Sequence, residues 1–174
     1  GDTAVARVTS FIYDDRGNLT QTTHPDASTE RTGYDAENRR IWSEDRLGQR
    51  TFYTYDKVGR ARFTILPDAN DGVGSAAPTA PTDARLADNP RSETVYDLAG
   101  RIISQIDVSG AITEYTYEDG CGCSQRRKEV IQRRVAPASD LITSYAYDKT
   151  GAVRSVTDPR GNVTETEYDS FGRA

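Results

Sequence analysis

The sequence predicts an all-β chain made of antiparallel β-hairpin repeats of about 21 residues, continuing as an extended, twisted meander or spiralling sheet. Three observations predict it. A tyrosine-aspartate pair recurs at Tyr13-Asp14, Tyr34-Asp35, Tyr55-Asp56, Tyr96-Asp97, Tyr147-Asp148 and Tyr168-Asp169, with a degenerate Tyr117-Glu118, at tyrosine spacings of 21, 21, 41, 21, 30 and 21. Each repeat carries two turn signals of the form D-x-x-G, and the residues before each tyrosine alternate with the period of a strand.

The first turn follows the tyrosine, as in Asp14-Asp15-Arg16-Gly17, Asp56-Lys57-Val58-Gly59, Asp97-Leu98-Ala99-Gly100 and Asp148-Lys149-Thr150-Gly151. The second lies ten residues before a tyrosine, at Asp45-Arg46-Leu47-Gly48, Asp107-Val108-Ser109-Gly110 and Asp158-Pro159-Arg160-Gly161. An aspartate opening a type I turn caps a nearby backbone N–H, and a closing glycine accepts positive φ. Asn38 replaces the glycine in the copy at Asp35, as the next most tolerant residue for that conformation.

Turns this close leave six or seven residues per strand. Thr9/Phe11/Tyr13, Thr51/Tyr53/Tyr55, Thr113/Tyr115/Tyr117, Thr143/Tyr145/Tyr147 and Thr164/Thr166/Tyr168 fall on one face, expected to be the buried or stacked one. Arg50, Thr54, Glu114, Glu165 and Glu167 fall on the other, interrupted by Phe52, Ile112 and Val163. A tyrosine/threonine ladder across the sheet follows from that register.

Residues 1–174 thus read as a single array of about seven repeats with two insertions. Residues 67–90 hold four of the seven prolines with Ala, Gly and Ser, and read as a surface loop grown from one turn. Residues 118–128 form a shorter insertion around Cys121-Gly122-Cys123. The missing initiator Met and the ending after Phe171-Gly172-Arg173 suggest cuts through a longer array.

Composition narrows the function. With 35% hydrophobic and 28% charged residues, the chain suits a thin sheet with one modestly apolar face. A net charge of −5, with Arg and Asp interspersed, disfavours nucleic-acid binding, which needs a basic face. No run approaches the ~20 apolar residues of a membrane span, and no signal peptide is visible.

The repeat itself accounts for most of the candidate reactive groups. Nearly every Asp occupies a recurring turn position, so capping outweighs acid/base catalysis. His24, the only histidine, precedes Pro25 at a turn and has no nucleophile partner. Asp68, Asn70 and Asp71 lack the spacing and distal Glu of a calcium loop. Cys121 and Cys123 fit a Gly-rich turn with free thiols, a metal or redox role being the alternative; four zinc ligands are not present. Asp158-Pro159 is a chemically labile bond, yet it fits the repeat turn with Pro at its preferred position. The expectation is no enzyme, and no catalytic, cofactor or metal residues.

The pattern Y-D-x-x-G-R followed by D-x-x-G-x-x-T-x-Y-x-Y-D resembles the YD repeat of the Rhs/YD-repeat family, best in Asp45 to Arg60 and Asp158 to Arg173. That resemblance implies a structural module of a large secreted or cell-surface protein, related to toxin-complex components and teneurins. In the bacterial shells of this family such repeats wall off a C-terminal toxin. The partners implied are neighbouring repeats of the same parent chain and an encapsulated toxin. The alternative is a module of an adhesion protein that binds a carbohydrate or another cell surface.

Overall fold

A computed structural model of the chain describes residues 7–74, 77–118, 126–135, 138–169 and 171–174. Cys121 and Cys123, with most of the shorter insertion, lie outside the described residues. The chain divides into two compact units, Gly1–Arg91 and Ser92–Ala174. The first contains β1 (Ser10–Tyr13), β2 (Leu19–Thr23), β3 (Thr29–Tyr34), β4 (Arg40–Glu44), β5 (Arg50–Tyr55) and β6 (Ala61–Ile65). The second contains β7 (Arg91–Tyr96, whose first residue falls in the first unit), β8 (Ile102–Ile106), β9 (Ile112–Tyr117), β10 (Arg127–Gln132), β11 (Leu141–Tyr147), β12 (Val153–Thr157) and β13 (Val163–Glu165). Within each unit, every strand pairs antiparallel with the next in sequence, giving the expected meander. A short 3-10 turn spans Ala84–Leu86.

The turns behave as their chemistry requires. Gly17 N donates to Asp14 O at 3.0 Å, Asp14 N donates to Asn18 O at 2.9 Å, and Asp14 Oδ1 accepts from the N–H of Arg16 and Asn18. The same four bonds recur around Asp35, Asp45, Asp107, Asp148, Asp158 and Asp169. Asn38 takes φ of 61°, as expected of a glycine substitute. The turn at His24 departs from the pattern: Ala27 is forced to φ of 66°, and Asp26 at the third position caps Ser28.

The hairpins after the tyrosines share a feature absent from the other turns. Tyr13 opposes Leu19 while Ile12 opposes Gln21, so Thr20 is an extra residue on β2. Ile41, Arg62, Ile103, Lys128 and Arg154 are the corresponding extra residues after the later tyrosines. The hairpins closed by the second turn run without a shift. A bulge of one residue moves the following side chains to the other face. Because 21 is odd, an unbulged repeat would place successive tyrosines on alternate faces; one bulge per repeat returns them to the same face.

The core reverses one expectation. The tyrosine side is only half-buried, and the buried hydrophobics lie opposite it. Phe52 is fully buried and pairs with Trp42 on one side and Ile65 on the other. Leu86 completes this cluster, with Trp42 and Phe63 packed against it. Leu86 comes from the long insertion, which is therefore not simply a solvated loop. Ala77 and Pro78 are also buried, Leu66 N bonds Pro90 O at its neck, and Gly74 N reaches Gly48 O at 2.9 Å. Gly48 is needed there twice over, for its φ of 80° and because a Cβ would stand 2.8 Å from Gly74 N. Beside the cluster runs a polar row: Arg31 opposes Gln21 and Glu44, and Glu44 opposes Arg50. Glu44, 4% exposed, accepts from Arg50 Nε at 2.9 Å and Arg31 Nη1 at 3.4 Å, while Arg50 Nη1 donates to Pro78 O.

Two smaller differences concern the second unit. The nine extra residues fall mainly in the connection after Tyr117 and in residues 133–140 between β10 and β11. β13 stops at Glu165, short of the predicted strand to Tyr168, although Thr166 N still donates to Arg154 O at 2.8 Å.

If the insertion supplies the core of the first unit, Leu86→Ala should cost about 2–4 kcal/mol by leaving a cavity against Phe52. Urea unfolding followed by the fluorescence of Trp42 reads this directly; a loss under about 0.5 kcal/mol would return the insertion to a passive loop.

Candidate functional site

The most organised polar constellation is the tyrosine-aspartate motif itself. Asp35 opens its turn, caps two N–H groups, and accepts Arg39 Nε on Oδ2 at 2.7 Å. The arrangement repeats at Asp97 with Arg101 and at Asp169 with Arg173, and Asp56 pairs with Arg60 at 2.6 Å. Asn18 and Asn162 replace the arginine at Asp14 and Asp158, again bonding Oδ2.

Two of these arginines then face the next repeat. Arg39 lies over the Tyr55 ring at 4.7 Å and Arg101 over the Tyr117 ring at 4.4 Å, within cation–π range. The tyrosine hydroxyls point the opposite way. Tyr34 donates to Leu19 O, Tyr55 to Arg40 O, Tyr117 to Ile102 O, Tyr147 to Arg127 O and Tyr168 to Val153 O. Every acceptor is the residue opposite the preceding repeat's tyrosine. Within each unit, tyrosine, aspartate and arginine therefore form a lattice linking consecutive hairpins.

Electrostatics follow the same bonds. Partial desolvation pushes the carboxyls of Asp35, Asp56 and Asp97 up, but hydrogen bonds from the backbone and guanidinium of Arg39, Arg60 and Arg101 outweigh it and leave each below the usual carboxylate value. The side chains of Asn18 and Asn162 lower Asp14 and Asp158, and Thr150 lowers Asp148.

Among the described residues, Asp158 and His24 are not brought into one reactive centre. Asp158 is spent on Arg160 N, Asn162 N and Asn162 Nδ2, which holds its carboxylate in the turn. His24 Nε2 is buried, has no hydrogen bond among the described residues, and lies 3.5 Å from Glu30 Oε2. Among the described residues, no group of three or more His, Cys, Asp or Glu is placed to hold a metal. No helix among them is long and apolar enough to cross a membrane. Sequence reasoning missed the hydroxyl-to-carbonyl contacts; the regular spacing of the tyrosines was their only signal.

This geometry defines a class: an array of bulged hairpins cross-linked by a repeating Tyr-Asp-Arg motif. The RHS Repeat family model matches residues 134–173. The chain is similar to double-stranded DNA deaminase toxin A of Burkholderia cenocepacia (strain H111), at 25% identity over 162 residues, covering 90% of this chain and 10% of that protein. Thus the chain spans about a tenth of the length of the curated relative it matches. Its fold is similar to part of the crystal structure of TcdB2-TccC3, with a TM-score of 0.58 at 17% identity over 84% of this chain and 7% of that one. The crystal structure of TcdB2-TccC3-TEV gives a TM-score of 0.55 at 17% identity, covering 95% of this chain and 8% of that one. The comparisons thus give an RHS-type repeat in residues 134–173 and a fold shared with part of TcdB2-TccC3.

Two outcomes test the lattice. Tyr117→Phe, which removes only the bond to Ile102 O, should cost roughly 0.5–1.5 kcal/mol in urea unfolding, and no change would mean that the hydroxyl contact is incidental. The lowered aspartates make folding favour their ionised form, so this stabilisation is complete above the unfolded value of 3.8 and is lost as pH falls through the lower folded values. Denaturation midpoints should accordingly hold level from neutral to about pH 5 and fall steeply below about pH 4; a maximum at acid pH would contradict this origin.

Proposed function

We propose that this segment is a load-carrying wall of a β-sheet shell that encloses a C-terminal toxin in a longer Rhs-type protein, without chemistry of its own. What supports the coarser reading, a repeat module of an Rhs or toxin-complex protein, is the matched repeat together with the fold shared with TcdB2-TccC3. The observation that carries the finer reading is the lattice. Its aspartates cap turns, its arginines pair with them, and its tyrosine hydroxyls bond backbone, so the side chains most suited to catalysis serve rigidity. A wall needs that property, and a non-enzymatic role fits it. The partners in this reading are adjacent repeats of the same chain and a toxin domain, and its setting is secreted or at the cell surface.

The glycan alternative draws less support. Tyrosine rings stack well on sugars when a face is bare, yet Arg40, Arg127, Arg39 and Arg101 each lie against a face of Tyr53, Tyr115, Tyr55 and Tyr117.

Protease protection in the longer protein that carries this segment tests the reading. The expected outcome is a C-terminal domain that survives digestion while the repeats are intact and is degraded rapidly once they are unfolded. A domain cleaved as quickly within the intact protein as in isolation would rule out enclosure.

A further inference from the structure

Two oxygens inside the long insertion have no hydrogen-bond partner among the described residues. Asp71 and Asn89 are each 3% exposed, and the unpartnered atoms are Asp71 Oδ1 and Asn89 Oδ1. The remaining atoms of both groups are committed. Asp71 Oδ2 accepts from Asp68 N at 2.8 Å and from Asn89 Nδ2 at 2.6 Å. Asn89 Nδ2 also donates to Leu66 O at 2.7 Å. Those two acceptors fix the amide orientation, because exchanging its nitrogen and oxygen would set oxygen against oxygen at both contacts. A buried carboxylate and a buried amide are thus in direct contact, each with an oxygen that lacks a donor.

Leaving such atoms bare carries the desolvation cost of a charged and a polar group together. The nearby guanidinium of Arg85 pairs with Asp83 at 2.8 Å and reaches the backbone oxygen of Asp71 at 3.5 Å, without bonding Oδ1. Oxygens from a carboxylate and an amide on an irregular loop are the ligands of a hard cation. Calcium tolerates that irregularity and completes its shell with carbonyls and water, whereas magnesium demands near-ideal octahedral geometry.

We propose that Asp71 and Asn89 form a binding site for a hard divalent cation of the calcium class, which clamps the two ends of the insertion over the Phe52 cluster. The ligands lie 18 residues apart, which is why no calcium-loop spacing announces them. They sit at the neck, beside the bond from Leu66 N to Pro90 O, so cation binding there favours the closed insertion and the core it supplies through Leu86. A weak affinity typical of extracellular calcium modules, roughly 10⁻⁴–10⁻³ M, suits so few charged ligands. The site is independent of whether the sheet encloses a toxin.

Thermal unfolding of the whole chain, followed by Trp42 fluorescence in EDTA, in about 10 mM calcium and in about 10 mM magnesium, tests it. Calcium should raise the midpoint by roughly 3–6 °C, and magnesium by clearly less. Asp71→Asn should abolish the response. Asn89→Asp supplies a second carboxylate, so it should lower the midpoint in EDTA and enlarge the rise on adding calcium. Were the two oxygens bridged by a buried water instead, Asn89→Asp would be destabilising whether or not calcium is present. The proposal is overturned if neither the wild type nor Asn89→Asp responds to calcium, or if Asp71→Asn responds as fully as the wild type.

Discussion

Everything in this sheet depends on a parity condition. A hairpin meander with an odd repeat must either alternate its side chains between faces or contain one extra residue per repeat. This chain contains the extra residue, at Thr20, Ile41, Arg62, Ile103, Lys128 and Arg154. With it, the tyrosines share a face and their hydroxyls can find equivalent carbonyls. Without it, Tyr34 would emerge beside Phe52 rather than beside Leu19, and the lattice would have no second link.

The two faces then carry different loads. On one, half-buried tyrosines are held by arginines that are themselves held by turn aspartates, so rigidity comes from many modest polar bonds. On the other, the first unit hides Phe52, Ile65 and Leu86 in a small apolar cluster and lays a polar row of Gln21, Arg31, Glu44 and Arg50 beside it. A single sheet cannot bury both its faces by itself, and the insertion covers that deficit in the first unit.

How much of this was legible follows from the range of each interaction. The turns were readable because Asp14 and Gly17 interact within one five-residue loop, and the substitution of Asn38 for glycine has a purely local cause. The bulges were implicit in the odd period, yet they show only once the register of opposing strands is known. The core was misplaced because alternation in Thr51 to Tyr55 cannot say which face is covered; the answer lay in Leu86, more than thirty residues away. For the same reason the contact between Asp71 and Asn89 has no local signature, because 18 residues separate the two side chains. The reading of periodic aspartates as turn caps needed no tertiary information.

The hydroxyl contacts have a direction as well as a spacing. Tyr34, Tyr55, Tyr117, Tyr147 and Tyr168 all reach toward the N-terminus, to carbonyls between 15 and 20 residues earlier in the chain. During synthesis, each tyrosine therefore meets an acceptor that has already left the ribosome, and none waits for residues still to be made. The hydroxyl bonds thus give each unit a polarity that matches the order of synthesis, each of these hairpins being tied to one made before it.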